Sequence, residues 1–149
     1  TGYKVMDFER IEVVGTSGES LGKRLSEAPE AFKGFAVPGF PNYFFALGPN
    51  SLVATASFFE SAETNLGCIV RILREKEAAG ARAIDVKEDK LRAYNDWISA
   101  ERERFSWGVD SCNSYYRTPE GHTPFLFPGD FATYKQQRKE SGLHEFEIL

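Results

Sequence analysis

Five consecutive apolar residues, Tyr43-Phe44-Phe45-Ala46-Leu47, do most to limit what this chain can fold into. Val37-Pro38-Gly39-Phe40-Pro41-Asn42 precedes them, a stiff loop in which two prolines fix φ and Gly39 permits a tight bend. Gly48-Pro49-Asn50 ends them. A run so short, aromatic and uninterrupted predicts a strand buried on both faces, as in a parallel sheet. Aromatic residues make up 14% of the chain, 13 of them Phe, so this surface must be covered within the chain or by something packed on it. With 149 residues there is room for one domain and its core, and not comfortably for two.

The rest of the chain supplies too little to complete such a sheet. Ile11–Val14 reads as a short strand followed by a turn at Gly15–Gly18. The strongest helix runs from about Thr55 to Gly80, with Leu66, Ile69, Val70 and Leu73 at the i, i+3, i+4, i+7 spacing. Glu60 and Glu63 come early in it and Arg71, Arg74 and Lys76 late, which complements the helix dipole. Ala83–Val86 alternates like a short strand, and Asp89 is placed to cap a second helix to about Arg104, with Leu91, Tyr94, Trp97 and Ile98 on one face. Phe105–Leu149 is loop-like apart from a polar surface helix over Phe131–Ser141. Strand, tight loop and long helix form the second half of a β-α unit, and the parallel partner strand is missing. The chain reads as part of a larger α/β protein.

A net charge of −4 argues against a nucleic-acid surface, which usually needs a basic stripe. No apolar stretch approaches the ~18 residues of a membrane-spanning helix. Two cysteines, Cys68 and Cys112, make no disulfide framework; with no signal peptide, the reducing cytosol is the expected compartment. Cys112 lies near His122 in the loop-rich tail, but a packed thiol and a solvated histidine are the better reading. No zinc spacing occurs, and Gly15-Thr16-Ser17-Gly18 reads as a hairpin turn rather than a phosphate-binding loop. Gly48-Pro49-Asn50-Ser51 is the more informative segment, set between the predicted strand and the first turn of the long helix. Helix N-termini expose unpaired N–H groups and partial positive charge, which suit anions or electron-rich carbonyls at the carboxyl end of a strand. A strand–helix turn without a ligand is the plain alternative.

Residues 37–51, Val37 through Ser51, closely resemble the GFPN-hydrophobic-GPNS segment of flavin-dependent monooxygenases of the Baeyer–Villiger type. Thr1-Gly2-Tyr3 resembles the end of that family's ATG-aromatic motif, and Gly15, Gly18 and Leu21 the turn that follows. Glu63 and Ala93-Tyr94-Asn95 fall where the family carries similar residues. Trp107, Cys112, Ser114, Tyr115 and Tyr116, then Gly121, Pro128-Gly129 and Tyr134, resemble its tail pattern.

The resemblance implies an α/β fold: the C-terminal fragment of an FAD-binding Rossmann-like domain. Residues 1–80 would end the FAD domain, and 81–149 would hold the second helix and loop-rich tail. The parent would use FAD, NADPH and O₂ to insert oxygen next to a ketone carbonyl. Gly48, Pro49, Asn50 and Ser51 would border the flavin, with Asn50 donating a hydrogen bond. Leu52, Val53, Ala54 and Thr55 would edge the substrate pocket. Tyr115 would sit on the loop that closes over nicotinamide, where the family usually has Trp. The glycine fingerprints and catalytic residues would lie upstream, so the fragment alone is expected to be inactive and without a catalytic residue or metal. Its partners would be the remainder of the parent, a ketone and O₂, with neither nucleic acid nor membrane, and the fragment would be able to self-associate. The alternative is a non-catalytic ligand-binding or interaction domain derived from the same fold.

Overall fold

The computed structural model describes residues 11–105 and 123–149. Gly15–Gly18 forms the expected turn: the Gly18 amide donates to the Gly15 carbonyl at 3.0 Å, and Val14 pairs antiparallel with Ser20. That bridge is all that remains of the predicted Ile11–Val14 strand. Helix α1, Leu21–Glu27, starts at Ser20, whose hydroxyl accepts from the Lys23 amide.

Helix α2 is Phe58–Ala78, close to the predicted span. Ser57 and Glu60 form a reciprocal capping box, and Gly80 at φ 68 ends it in the left-handed region. Ser57→Ala is expected to cost about 1 kcal/mol of stability, read by denaturant unfolding, because the Phe59 amide loses its acceptor. The buried face overlaps the predicted apolar stripe only in part: Ile69 is buried and Leu73 packs against the core, but the other two positions turn outward. Ser61, Asn65, Cys68, Ile69 and Ile72 point inward, while Leu66 and Val70 are 46% and 45% exposed. The helix is turned so that Asn65 meets the buried Tyr134 and Arg138, beside Ser61, whose hydroxyl donates back to the Ser57 carbonyl. The Asn65 hydrogen bonds take precedence over the outer part of the apolar stripe.

Strand β1, Ile84–Val86, leads into helix α3, Glu88–Arg102, which buries Leu91, Tyr94 and Ile98 as predicted. Asp89 lies within the first turn; Lys87 holds the N-cap position and makes no side-chain cap. Helix α4, Phe131–Glu140, is capped by Asp130. It is not the plain surface helix expected, since Tyr134 and Arg138 on it are fully buried. A 3₁₀ turn at Leu143–Glu145 delivers strand β2, Phe146–Ile148. β2 pairs antiparallel with β1, Val86 opposite Phe146 and Ile84 opposite Ile148.

Tyr43–Leu47 forms no strand. Its hydrogen-bond partners come from turns and a side chain: the Phe45 amide donates to the Phe35 carbonyl at 2.9 Å, and Asn65 Nδ2 donates to the Ala46 carbonyl at 3.1 Å. The left-handed Asn42, at φ 58, and Gly48-Pro49 interrupt any ladder at both ends. The rings still divide between two sides as an extended segment requires. Phe44 packs near Phe35 and Phe146 in the main core, while Tyr43 and Phe45 meet edge-on, 5.1 Å apart, beside a second cluster around Leu21, Leu25 and Phe40. A parallel contact does exist one step further along. Residues 50–52 lie beside the tail, with the Asn50 amide donating to the Pro124 carbonyl at 2.7 Å and Phe127 donating to the Leu52 carbonyl at 2.8 Å. Residues from both sides of position 80 share one core, so Val53, Ile72, Leu91, Phe127 and Tyr134 pack together.

Candidate functional site

Gly48–Ser51 is built into the interior. Lys33 and Gly34 turn the chain sharply, at φ 46 and 70, inside the hydrogen bond from the Phe32 amide to the Ala36 carbonyl. That turn aims the Gly34 carbonyl at the loop, where it accepts from the Gly48 amide at 2.8 Å and from Ser51 Oγ at 3.0 Å. Gly48 has to be glycine because a Cβ there would lie 2.7 Å from the same carbonyl. Asn50, itself left-handed at φ 55, donates from Nδ2 to the Thr123 carbonyl at 2.8 Å and to the Leu126 carbonyl at 3.0 Å.

The expected donor role of Asn50 therefore needs correction. Both amide hydrogens are committed to tail carbonyls, so its side chain fixes the tail on the loop and has no N–H left for a cofactor. The position of the long helix is corrected too. It begins at Phe58, after Ser57, with the carboxylate of Glu60 on its own N-terminus, so it does not open directly from Ser51. Of the predicted pocket edge, Val53 is 1% exposed and belongs to the core. Leu52 is half-buried and Ala54 and Thr55 are exposed, giving a short surface beside the loop. Tyr115, with Cys112, Ser114, Tyr116 and His122, lies outside the described residues.

Sequence reasoning missed the buried polar cluster that holds the loop. Asn65 on α2 donates from Nδ2 toward Ala46 O and, at 3.4 Å, Ser51 Oγ. Its Oδ1 accepts from Tyr134 OH at 2.8 Å and from Arg138 Nε at 3.0 Å. Arg138 also donates from Nη2 to the Lys33 carbonyl at 2.6 Å, and its guanidinium lies 3.5 Å over the Tyr134 ring. Lys33 Nζ pairs with Glu145 Oε1 at 2.8 Å and Ser141 Oγ at 2.6 Å, both in the buried tail. Arg71 completes the joint by donating to the carbonyls of Arg138 and Ser141 at the end of α4, where the helix dipole favours a cation. One signal was available: Ser61 and Asn65 are polar positions inside an otherwise apolar helical face. Nothing in the polar stretch around Arg138 marks it as buried.

Burial pushes the Tyr134 hydroxyl up to about 12 from its ordinary 10.0, partly offset by the Arg138 charge. The neutral phenol is thus the form the fold keeps. Its contribution to stability is complete below pH 10 and is lost as pH rises through about 12. Alkaline unfolding curves are expected to fall more steeply between these limits for the wild type than for Tyr134→Phe; parallel curves would show that the phenol is not the titrating group.

A recess of about 40 Å³ opens beside Asn50, lined also by Asn95, Ser99, Arg102 and Thr123. Within the described residues it is a small, mainly polar recess. Among the described residues no cluster of His, Cys, Asp or Glu could hold a metal, and no helix is long and apolar enough to cross a membrane.

No protein-family profile matches the chain. A Baeyer-Villiger monooxygenase of Streptomyces coelicolor is 28% identical over 151 residues, covering 100% of this chain and 29% of its own length. A Baeyer-Villiger monooxygenase of Pseudomonas aeruginosa is 31% identical over 131 residues, covering 87% of this chain and 25% of its own length. An oxidised steroid monooxygenase bound to NADP superposes with a TM-score of 0.80 at 25% identity, over 93% of this chain and 26% of that one. The chain is a segment of a Baeyer–Villiger-type flavin monooxygenase. A cyclohexanone monooxygenase variant from Rhodococcus sp. Phi1, bound to NADP+, has the same fold over 100% of this monooxygenase segment and 28% of its own chain, with a TM-score of 0.84 at 21% identity. The segment spans about a quarter of the length of the curated relatives it matches. It has the mixed helix-and-strand character of part of an α/β domain.

Proposed function

We propose that this segment is the C-terminal part of an enzyme that uses FAD, NADPH and O₂ to oxidise a ketone by Baeyer–Villiger insertion. Similarity to a Baeyer-Villiger monooxygenase along the whole of the chain carries the reading. Gly48–Ser51 are buried within the segment, so a flavin would approach them from the accessible flank. The loop Gly48–Ser51 is rigid, its side chains are spent internally, and its flank at Leu52, Ala54 and Thr55 is left accessible. In this reading the loop backbone borders the flavin ring, while Asn50 and Ser51 hold that backbone in place. Leu52, Ala54 and Thr55 edge the ketone pocket, with Val53 supporting them from the core. Tyr115 remains the proposed contact to nicotinamide. When bound, the flavin supplies the electron transfer from NADPH and the activation of O₂. The segment's own contribution is to position one edge of the cofactor and one wall of the substrate site.

Residues 1–80 would close the FAD domain and 81–149 would form its tail. The remainder of the parent enzyme would carry the pyrophosphate grip and cover the outer apolar stripe of α2. Alone, the 149 residues are expected to be inactive and to bind FAD weakly, because no G-x-G-x-x-G loop is present to receive the pyrophosphate. Titration of the purified chain against flavin fluorescence checks this, and sub-micromolar affinity would refute it.

The pocket reading has its own test. Ala54→Phe and Thr55→Phe in the complete enzyme should change the KM for ketones of different size while moving stability by no more than about 0.5 kcal/mol, as expected of exposed positions. An unaltered substrate profile in both variants would contradict it. The non-catalytic alternative predicts a parent whose absorbance shows no bound flavin.

A further inference from the structure

A guanidinium that is 1% exposed should be costly unless a carboxylate faces it. Arg138 has no carboxylate partner among the described residues; its acceptors are Asn65 Oδ1, the Lys33 carbonyl and Gln137 Oε1. Well-packed apolar side chains often replace buried ions without loss of stability, so a cation in this place is better explained by the geometry it imposes.

That geometry leads to one loop by two routes. Along the first, Asn65 Oδ1 receives both Arg138 Nε and Tyr134 OH, which fixes which way its amide faces. Nδ2 is then directed at the Ala46 carbonyl and Ser51 Oγ, on either side of Gly48-Pro49-Asn50. Along the second, Arg138 Nη2 holds the Lys33 carbonyl, and the next carbonyl, that of Gly34, receives Gly48 N and Ser51 Oγ. We propose that Arg138 is a positioning residue for the flavin-bordering loop Gly48–Ser51, acting through Asn65 and the Lys33–Gly34 turn. The inference rests on the reading that this loop borders the flavin.

Asn65→Asp removes the donor arm while leaving the acceptor arm to Arg138 and Tyr134. The new carboxylate would pair with Arg138 and keep the buried cation satisfied, while the donor to Ala46 and Ser51 disappears. Arg138→Lys keeps the charge and loses the planar fork that reaches Asn65 and Lys33 together. Both variants would be made in the complete, FAD-loaded enzyme and compared with wild type by flavin absorption spectrum, flavin reduction potential, melting temperature and rate of flavin reduction by NADPH. The expected result is a shifted spectrum and potential in both variants. In Asn65→Asp the melting temperature also falls, because the new carboxylate oxygen faces the Ala46 carbonyl. Reduction should slow by about ten- to a hundredfold, the scale of a displacement of an ångström or less. A lowered melting temperature with spectrum and potential unchanged would overturn the inference. Ala54→Asp, which sets a negative charge beside the loop, tests the underlying reading separately. If it lowers the potential while the Arg138 and Asn65 variants leave it alone, only the positioning role falls. If it too leaves the potential unchanged, the loop does not border the flavin and both fall.

Discussion

Gly34→Ala is expected to destabilise the enzyme by roughly 2–6 kcal/mol, combining about 1–3 for a left-handed non-glycine residue with 1–3 for overpacking. Gly34 sits at φ 70, and an added Cβ would lie 1.9 Å from Ser51 Oγ and 2.9 Å from the Pro49 carbonyl. Neither contact can move freely. Ser51 Oγ is bound to the Gly34 carbonyl and approached by Asn65, while Pro49 is fully buried in a loop stiffened by its own ring. Gly18→Ala is the natural comparison, because Gly18 has an equally unfavourable φ of 83 with nothing within 4 Å of a new Cβ. It should show the backbone strain alone. Denaturant unfolding of both variants in the complete enzyme measures the difference, and equal losses would mean that the Gly34–Ser51 approach is looser than the structure has it.

The importance of Gly34 illustrates what could and could not be read from the sequence. Where local chemistry decides, the reading agrees with the structure. The glycine turn after Val14, the span of α2 with Gly80 at its end, and the buried face of α3 all follow from residues close together in the chain. The resemblance to Baeyer–Villiger-type monooxygenases likewise rested on one contiguous segment and its ordered flanks. Where partners lie far apart, pattern misled. Tyr43–Leu47 looks like a sheet-core strand because its rings serve two clusters, yet its amides go to turns. Asn50 looks like a free donor at a helix start, although its acceptors lie in the tail more than seventy residues on. Arg138 looks like one more charge on a polar helix, and only the meeting of α2, α4 and the Lys33 turn reveals its burial. Long-range polar pairs have no period, so no spacing rule could have found them.

The face of α2 that the sequence nominated as buried supplies the second large effect. Leu66 and Val70 belong to the clearest apolar stripe in the chain, with Phe59 two turns before Leu66 in the same direction at 75% exposure. The described residues leave Leu66, Val70 and Phe59 on the outer side because the inward side of the helix is set by Asn65 and its partners together with Cys68, Ile69 and Ile72. Since the segment spans about a quarter of its relatives' length, the remainder of the parent enzyme is the occupant expected to cover the stripe. Burying a side chain of this kind is worth about 1.5–3 kcal/mol, so the double variant Leu66→Glu, Val70→Glu should destabilise the complete enzyme by roughly 3–6 kcal/mol. At truly exposed positions the same changes would move stability by only about 0.5 kcal/mol each. The separated 149-residue chain should behave in the opposite sense. With the stripe uncovered it should associate with further copies as concentration rises, and the two glutamates should suppress that association. Light scattering on the chain and denaturant unfolding of the parent give the two readings. A stable parent carrying both glutamates would show that α2 faces water there, and association of the chain that persists in the double variant would show that another surface drives it.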